Sequence, residues 1–360
     1  MTDEFLSHAE AAQINRNNVL RYVKNHIKTS RTDIWNSMTI SRASVTQVIR
    51  QLQDMNLIIE TGEKQSSGRR MSRYICFNHD ARFLYVFDWN TSLLCLVNIG
   101  GDILDTLRLT FPENCQPNAF ASMVLEGIDV LAERHPIDQD LHLGLGVILP
   151  GLIDSRNCTV LYSVELGWRD VDVRYLFAER FHDNLFLERT SNMIALGEYI
   201  FGAARGYKHE VLVLLENEGI GMSTIVRGDC QHGSNYMYGE LGHIKLPSRV
   251  MCSCGQQGCL EAVVRDCMRR NGGVIDSEVL EYIAFGVSAV INISDPGIAL
   301  LTGRLIRALT ADMEFDLINR IQKKVTNEKS RTLDIHFCRE EEMMGIRGMS
   351  AYVFDCVFAG

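Results

Sequence analysis

One histidine and three cysteines fall within seventeen residues: His243, Cys252, Cys254 and Cys259. Cys-x-Cys followed by a Gly-x-x-Gly-Cys turn puts three soft ligands on one tight loop. Its glycines permit the positive φ angles that such a loop needs. His243, brought in from a neighbouring strand, completes a tetrahedron. Cys3His is a closed structural zinc set with no position left for a catalytic water. The alternative is a chance cluster of buried free cysteines, because Cys is often simply core.

A second group of residues suits a different chemistry. Arg42, Ser44, Thr46, Gln47 and Arg50 occupy one face of a predicted helix capped by Ser41. Val45, Val48, Ile49 and Leu52 follow the i, i+3, i+4, i+7 pattern on the other face. The polar side chains are of the types that read base edges and phosphates in a major groove. Ahead of this helix the sequence predicts a first helix over Asn18–Ile27, with Val19, Leu20, Val23 and Ile27 on one face. A short second helix is predicted over Arg31–Ser37, capped by Ser30. Short helix, turn, polar-faced helix is the order of a helix-turn-helix. After it, Leu57–Glu60 and Tyr74–Phe77 read as a two-stranded wing around Gly68, Arg69 and Arg70. An Arg pair on a wing tip suits a narrow A·T-rich minor groove. The alternative is a small protein-binding three-helix domain with a solvated polar face.

These sites must be carried by a chain of 360 residues, long enough for two or three domains. The hydrophobic fraction of 46% can supply full cores. No run of about 18 apolar residues predicts a membrane span. The acidic start, Met1-Thr2-Asp3-Glu4-Phe5, has no apolar signal region. Eleven cysteines point to a reducing, cytoplasmic setting in which they serve as thiols or metal ligands. The net charge of −9 is unevenly spread. Residues 1–80 hold 11 Lys and Arg against 8 Asp and Glu; the rest holds 25 against 37. A mildly basic head sits on an acidic body.

Glu240-x-Gly242-His243, followed by Cys252-x-Cys254-Gly255-x-x-Gly258-Cys259-x-Glu261, resembles the signature of the ROK family of bacterial sugar kinases and sugar-responsive repressors. The spacer before Cys252 is about one residue short, and Arg265 stands where the family pattern often has Ser. Neither change removes a ligand. Ser41-Arg-Ala-Ser-Val-Thr46 and Ser67-Gly-Arg-Arg70 resemble the DNA-binding head of the family's transcriptional regulator branch; family kinases lack this head. The resemblance implies an α/β chain with an N-terminal winged helix-turn-helix and a two-lobed, actin-like ATPase body of the ROK or hexokinase type. The implied domains are 1–80, a first lobe at 81–191 with a returning C-terminal helix at 344–360, and a second lobe with the zinc loop at 192–343. Strands are expected at Val211–Glu216, Thr224–Arg227 and Ile244–Leu246, and a closing helix at Glu341–Phe358.

By the same resemblance the kinase parts are altered. The first phosphate turn, glycine-rich in family kinases, reads Asp88-Trp89-Asn90-Thr91-Ser92, with a bulky Trp89 where phosphates need room. The second reads Asn217-Glu218-Gly219-Ile220-Gly221-Met222-Ser223, with Glu218 beside a phosphate position and Met222 in place of a glycine. Arg189 and Thr190 replace the Asn-Asp pair that holds the catalytic carboxylate. Thr190 has no useful basicity near neutral pH, so no general base remains. The expectation is no enzyme activity. Glu240, His243 and Glu261 match positions that contact sugar hydroxyls in the family, and carboxylates and imidazole suit vicinal hydroxyls. Glu240 and Glu261 have a second reading as supports of the zinc loop. Arg189 either meets an acidic or phosphorylated sugar, or pairs with a nearby Glu and fills an empty cleft.

The sequence therefore reads as a cytoplasmic transcription regulator of carbohydrate-related genes, a repressor. It is expected to bind a double-stranded DNA operator as a homodimer or tetramer, with one structural zinc and a sugar or sugar-phosphate effector. Two alternatives remain: a bifunctional sugar kinase with a DNA-binding head, and a regulator whose body only dimerises and docks a partner protein.

Overall fold

The computed structural model describes residues 8–67, 70–217, 219–327, 331–339 and 343–359. Gly68, Arg69 and Glu218 lie outside them, as does the side chain of Arg70.

The head comprises α1 (His8–Lys24), α2 (Arg31–Ser37), α3 (Arg42–Asp54) and the antiparallel pair β1 (Ile58–Ser67) and β2 (Arg70–Phe77). Helix α2 begins with a reciprocal box: Asp33 N donates to Ser30 Oγ, and Ser30 N donates to the Asp33 carboxylate. Ser41 Oγ caps α3 by accepting from Ser44 N at 3.0 Å. Helix α1 differs from expectation at both ends. It starts ten residues before Asn18, because its first turns hold good helix formers without an apolar stripe. It stops at Lys24, so Ile27 leaves the core face and stands 91% exposed. Thr29 pairs with Ile75 and docks the chain between α1 and α2 on the wing.

The first lobe carries β3 (Phe83–Asp88), β4 (Leu93–Asn98), β5 (Ile103–Arg108), helix α4 (Pro117–Arg134) and β6 (His142–Leu149). A small three-stranded sheet follows: β7 (Leu152–Asp154), β8 (Thr159–Ser163) and β9 (Trp168–Asp172). Short helices α5 (Val173–Leu176) and α6 (Ala178–Phe181) lead to β10 (Leu185–Arg189). The main sheet has the order β10-β6-β3-β4-β5; β3, β6 and β10 are parallel, and β3, β4 and β5 antiparallel.

Helix α7 (Thr190–Phe201) leads into the second lobe, so the expected boundary after residue 191 falls inside a helix. There β11 (His209–Leu215), β12 (Ile220–Val226), β13 (Asp229–Cys230) and two helices, α8 (Leu260–Arg270) and α9 (Ser277–Ser294), precede β14 (Ile298–Thr302). Helices α10 (Arg304–Arg307) and α11 (Ala311–Lys324) and strand β15 (Asp334–Phe337) complete it, with sheet order β13-β12-β11-β14-β15. By length and apolarity α9 could cross a membrane, but Val279, Leu280, Ile283, Ala284 and Val287 are buried in this lobe's core. Two expectations fail here. Ile220–Ser223 belongs to β12 and not to a phosphate turn: Leu215 pairs with Ile220, so the turn is confined to 216–219. Residues 244–246 form no strand among the described residues. Leu241–His243 is a 3-10 turn, and only Lys245 bridges, to Cys259.

The closing helix α12 (Met344–Phe354) begins three residues later than expected and ends in one wide turn over Asp355–Ala359. It crosses α7 with backbones nearly touching: a Cβ on Gly348 would lie 1.9 Å from Met193 O, and one on Gly197 2.1 Å from Met344 O. Its far end leaves the first lobe. Phe354 is fully buried in the head's core with Phe77, ring centroids 5.5 Å apart. Lys24 Nζ sits 3.5 Å from the Phe354 ring centroid, and Arg21 pairs with Asp355 at 3.5 Å.

Candidate functional sites

The polar face of α3 is exposed at Arg42, Gln47 and Arg50. Arg42, Ala43, Thr46, Gln47, Arg50 and Gln51 line a shallow concavity of about 640 Å³. Ser44 and Thr46 are less available than their types suggested. Ser44 Oγ is 2.9 Å from Ser41 Oγ in the cap, and Thr46 Oγ1 donates to Arg42 O. Two contributors escaped the sequence reading. Gln51 follows Gln47 by one helical turn, a signal that was present. Trp35 of α2 lies under the Arg42 guanidinium, 4.0 Å from ring centroid to Cζ, and holds it at the start of α3. Glu60 ties β1 to α2 through Arg31 at 2.6 Å and meets Arg73 at 3.8 Å. These pairs fix the wing against the helices.

The four soft ligands converge. One donor atom from each of His243, Cys252, Cys254 and Cys259 lies within 4.8 Å of the other three. Cys254 Sγ is 3.6 Å from Cys259 Sγ, and Cys252 Sγ is 3.8 Å from His243 Nδ1. A tetrahedron with metal–sulfur bonds of about 2.3 Å has edges of about 3.8 Å, so the set fits a tetrahedral ion. The loop is closed by Cys252 N donating to Gln256 O and Gly258 N to Val250 O. Gly258 has φ +75°, and a Cβ there would strike Leu246 O at 2.4 Å, so the turn requires glycine. Lys245 Nζ lies 2.8 Å from Cys259 Sγ and offsets thiolate charge. Glu240 faces the other imidazole nitrogen, His243 Nε2, at 3.7 Å; Glu261 is 3.1 Å from Cys252 Sγ. Both carboxylates thus border the metal-ligating set, and Glu240 also faces the cleft.

The cleft between the lobes is lined from both sides. Burial pushes the Asp88 carboxyl up to about 6, against the bonds it accepts from Thr91 and Asn90. Trp89 stacks on Phe111 at 5.1 Å, packs near Phe120, and donates Nε1 to Glu165 at 2.9 Å. Its ring belongs to the aromatic cluster of the first lobe's core. Thr190 Oγ1 is buried without a hydrogen-bond partner. Arg189, at the end of β10, is buried and engaged: Nε donates to Asn192 Oδ1 at 3.0 Å, Nη2 to Met222 O at 3.3 Å, and Nη1 is 3.8 Å from Glu240 Oε1. Gly239 (φ +86°) makes room, since a Cβ there would lie 2.4 Å from Met222 O and 3.3 Å from Arg189 Nη2.

One pair was invisible in the sequence. Glu188 is fully buried and accepts from His232 Nε2 at 2.5 Å, Asn192 Nδ2 at 2.8 Å, Arg189 N at 2.9 Å and Ser155 Oγ. Burial pushes its pKa up, but the His232 bond and charge with the other donors hold it below the usual range. The Glu188 bond raises His232, outweighing its burial and Arg189. The partners are 44 residues apart, and only the fold brings them together.

Residues 91–267 match the model of the ROK family. The chain is 23% identical over 323 residues to the xylose repressor of Bacillus spizizenii, covering 82% of this chain and 83% of that protein. Across three further relatives named as xylose repressors or a putative one, the match spans 64–65% of their length. The fold matches a ROK family transcriptional regulator described as a homologue of the E. coli MLC protein, at TM-score 0.79 and 19% identity, over 97% of this chain and 98% of that one. It also matches the ROK hexokinase of Thermus thermophilus at TM-score 0.63 and 21% identity, over 77% of this chain and all of the kinase. Residues 91–267 thus form a ROK family domain, and the fold of the chain is that of the solved ROK proteins.

Proposed function

We propose that this protein is a DNA-binding transcriptional repressor of carbohydrate-related genes. The observation that carries the reading is the head: a capped polar-faced helix with Arg42, Gln47 and Arg50 exposed, and a wing tied to α2 by Glu60 and Arg31, joined to a ROK body. The repressor names among its relatives support it. Helix α3 enters a major groove, Arg42 and Gln47 read base edges, and Arg50 meets phosphate. Arg69 and Arg70, of which the side chains lie outside the described residues, are the residues proposed for the minor groove. A homodimer would present two such heads to a palindromic operator in the cytoplasm.

The body is a sensor without kinase chemistry. Trp89, stacked on Phe111, stands in a first phosphate turn that has no glycine, and Thr190 supplies no base at the catalytic slot. Zinc on His243, Cys252, Cys254 and Cys259 fixes the loop that carries Glu261 and orients His243 toward Glu240. Glu240, His243 and Glu261 form the wall of the cleft offered to a carbohydrate-like effector. A change of cleft occupant is transmitted along α7 and α12 to Phe354 in the head's core. The kinase alternative has the hexokinase match behind it; ATP- and sugar-dependent ADP release by the purified chain would establish that alternative.

The test is selection of a duplex from a randomised DNA library by the full chain, followed by titration of the selected duplex. Specific binding that falls steeply with salt is expected. Recovery of no preferred sequence would refute the reading. D-Xylose, D-glucose and glucose 6-phosphate are the first effector probes, read as release of that duplex.

A further inference from the structure

The cleft holds three acceptors aimed at one point: Asn192 Oδ1, Met222 O and Glu240 Oε1. They come from α7, β12 and the loop before the metal site. Such a set suits a compact molecule rich in hydrogen-bond donors, such as a sugar with vicinal hydroxyls. Here all three face the guanidinium of Arg189, a planar group with five N–H donors. Arg189 belongs to β10, the edge strand of the first lobe, whereas Met222 and Glu240 belong to the second. Its side chain is 9% exposed, against 37% for Glu240.

The charge balance decides what the guanidinium is there for. Glu240 lies beside it, Glu261 stands behind the metal loop, and Glu188 accepts from its own backbone N–H. Carboxylates stand around the guanidinium, whose Nε and Nη2 are engaged by Asn192 and Met222 O and whose Nη1 faces Glu240. An anionic ligand would meet these carboxylates, and the neighbouring His232 is already paired with Glu188, so the arrangement does not suit a sugar phosphate. It suits an internal occupant.

We propose that Arg189 is a tethered occupant of the interlobe cleft, which bridges the lobes in place of a small molecule and which a neutral sugar must displace. This rests on the sensor reading of the body and names its regulation. A tethered group competes at high effective concentration, and the apparent affinity of a competing sugar falls by the fraction of time the cleft is open. Arg189 therefore sets the effector threshold, and Gly239 allows its approach.

The sign of one affinity change tests it. Full-length wild type and Arg189→Ala are titrated with D-xylose, D-glucose, glucose 6-phosphate and N-ethylguanidinium, read by calorimetry and thermal shift. The expected result is that Arg189→Ala binds D-xylose or D-glucose at least about 10-fold more tightly than wild type. N-Ethylguanidinium, the excised side-chain head, should raise the Tm of the variant by about 2–4 °C near tenfold saturation and leave wild type unmoved. Weaker sugar binding by the variant would overturn the proposal, because Arg189 would then be a ligand contact. So would tighter binding of glucose 6-phosphate than glucose by wild type, or a variant that binds none of the four probes. If Arg189→Ala does not fold, Glu240→Gln replaces it: the proposal then requires a lower Tm than wild type without ligand, and an unchanged Tm sinks it. Wild-type binding to the selected duplex is measured on the same protein. Its loss would count against the regulator reading, whereas failure of the sugar and guanidinium arms alone would count only against Arg189 as occupant.

Discussion

The metal loop and the interlobe cleft share Glu240 yet stand in opposite chemical conditions. In the loop, four donor atoms within 4.8 Å of one another face a common centre, and the Lys245 ammonium stands 2.8 Å from Cys259 Sγ. In the cleft several polar groups are paired with each other: Arg189 with Asn192, Met222 O and Glu240, Glu188 with His232, and Trp89 with Glu165, while Thr190 Oγ1 has no hydrogen-bond partner. Four soft donors converging on one centre suit an ion, whereas polar groups paired across a cleft hold its shape. The loop's geometry does not depend on what the cleft does, because a closed structural metal needs four ligands and no open position.

The comparison breaks most visibly at the loop. Cys259→Ser removes a buried ligand on the strand-like bridge to Lys245. The expected outcome is loss of about one zinc per chain by elemental analysis, with Tm lowered by on the order of 10 °C, since metal binding is coupled to folding. Wild type purified without chelator and carrying no metal would contradict the zinc assignment.

The cleft should respond more gently, and to pH. His232 has a raised pKa, so its contribution is present below its ordinary value of 6.5 and is lost as pH rises through the raised one. Glu188 has a lowered pKa, so its contribution is present above 4.5 and is lost as pH falls through the lowered one. The pair is strongest between those two values. The groups facing His232 are Glu188 and Arg189. The Tm gap between wild type and His232→Gln should be widest from pH 4.5 to 6.5 and narrow at alkaline pH. A gap that is constant with pH would show that the pair contributes shape without charge.

The smallest expected effect is none. Thr190→Asp returns a carboxylate to the catalytic slot of the family's kinases but leaves Trp89 in a turn without glycine and Arg189 across the cleft. Positioning supplies most of the catalysis in phosphoryl transfer, so a coupled ADP assay with ATP and glucose should stay at background for wild type and variant alike.

The same contrast explains what the sequence could tell. Local chemistry was legible: Ser30 with Asp33 marks the start of α2, and the Cys-x-Cys…Gly-Cys spacing marks the ligand loop, because partners a few residues apart need only local geometry. The amphipathic stripe placed Val45, Val48, Ile49 and Leu52 inside. The cleft was legible only as departures from a family pattern. That Arg189 binds a backbone carbonyl could not be read from the side-chain type at residue 222, and Glu188 meets His232 only through the crossing of two lobes. Phe354 joined the head for the same reason: apolarity marks burial, and topology decides against what.

The central claim, that the head reads DNA, is tested most directly by fluorescence anisotropy on the duplex selected by the full chain. Wild type is compared with Arg42→Ala and Gln47→Ala, both exposed and outside the head's core. The account predicts that each substitution weakens specific binding by about 10-fold or more, on the order of 1–3 kcal/mol, with unchanged Tm. Equal affinity of all three proteins for that duplex would contradict it.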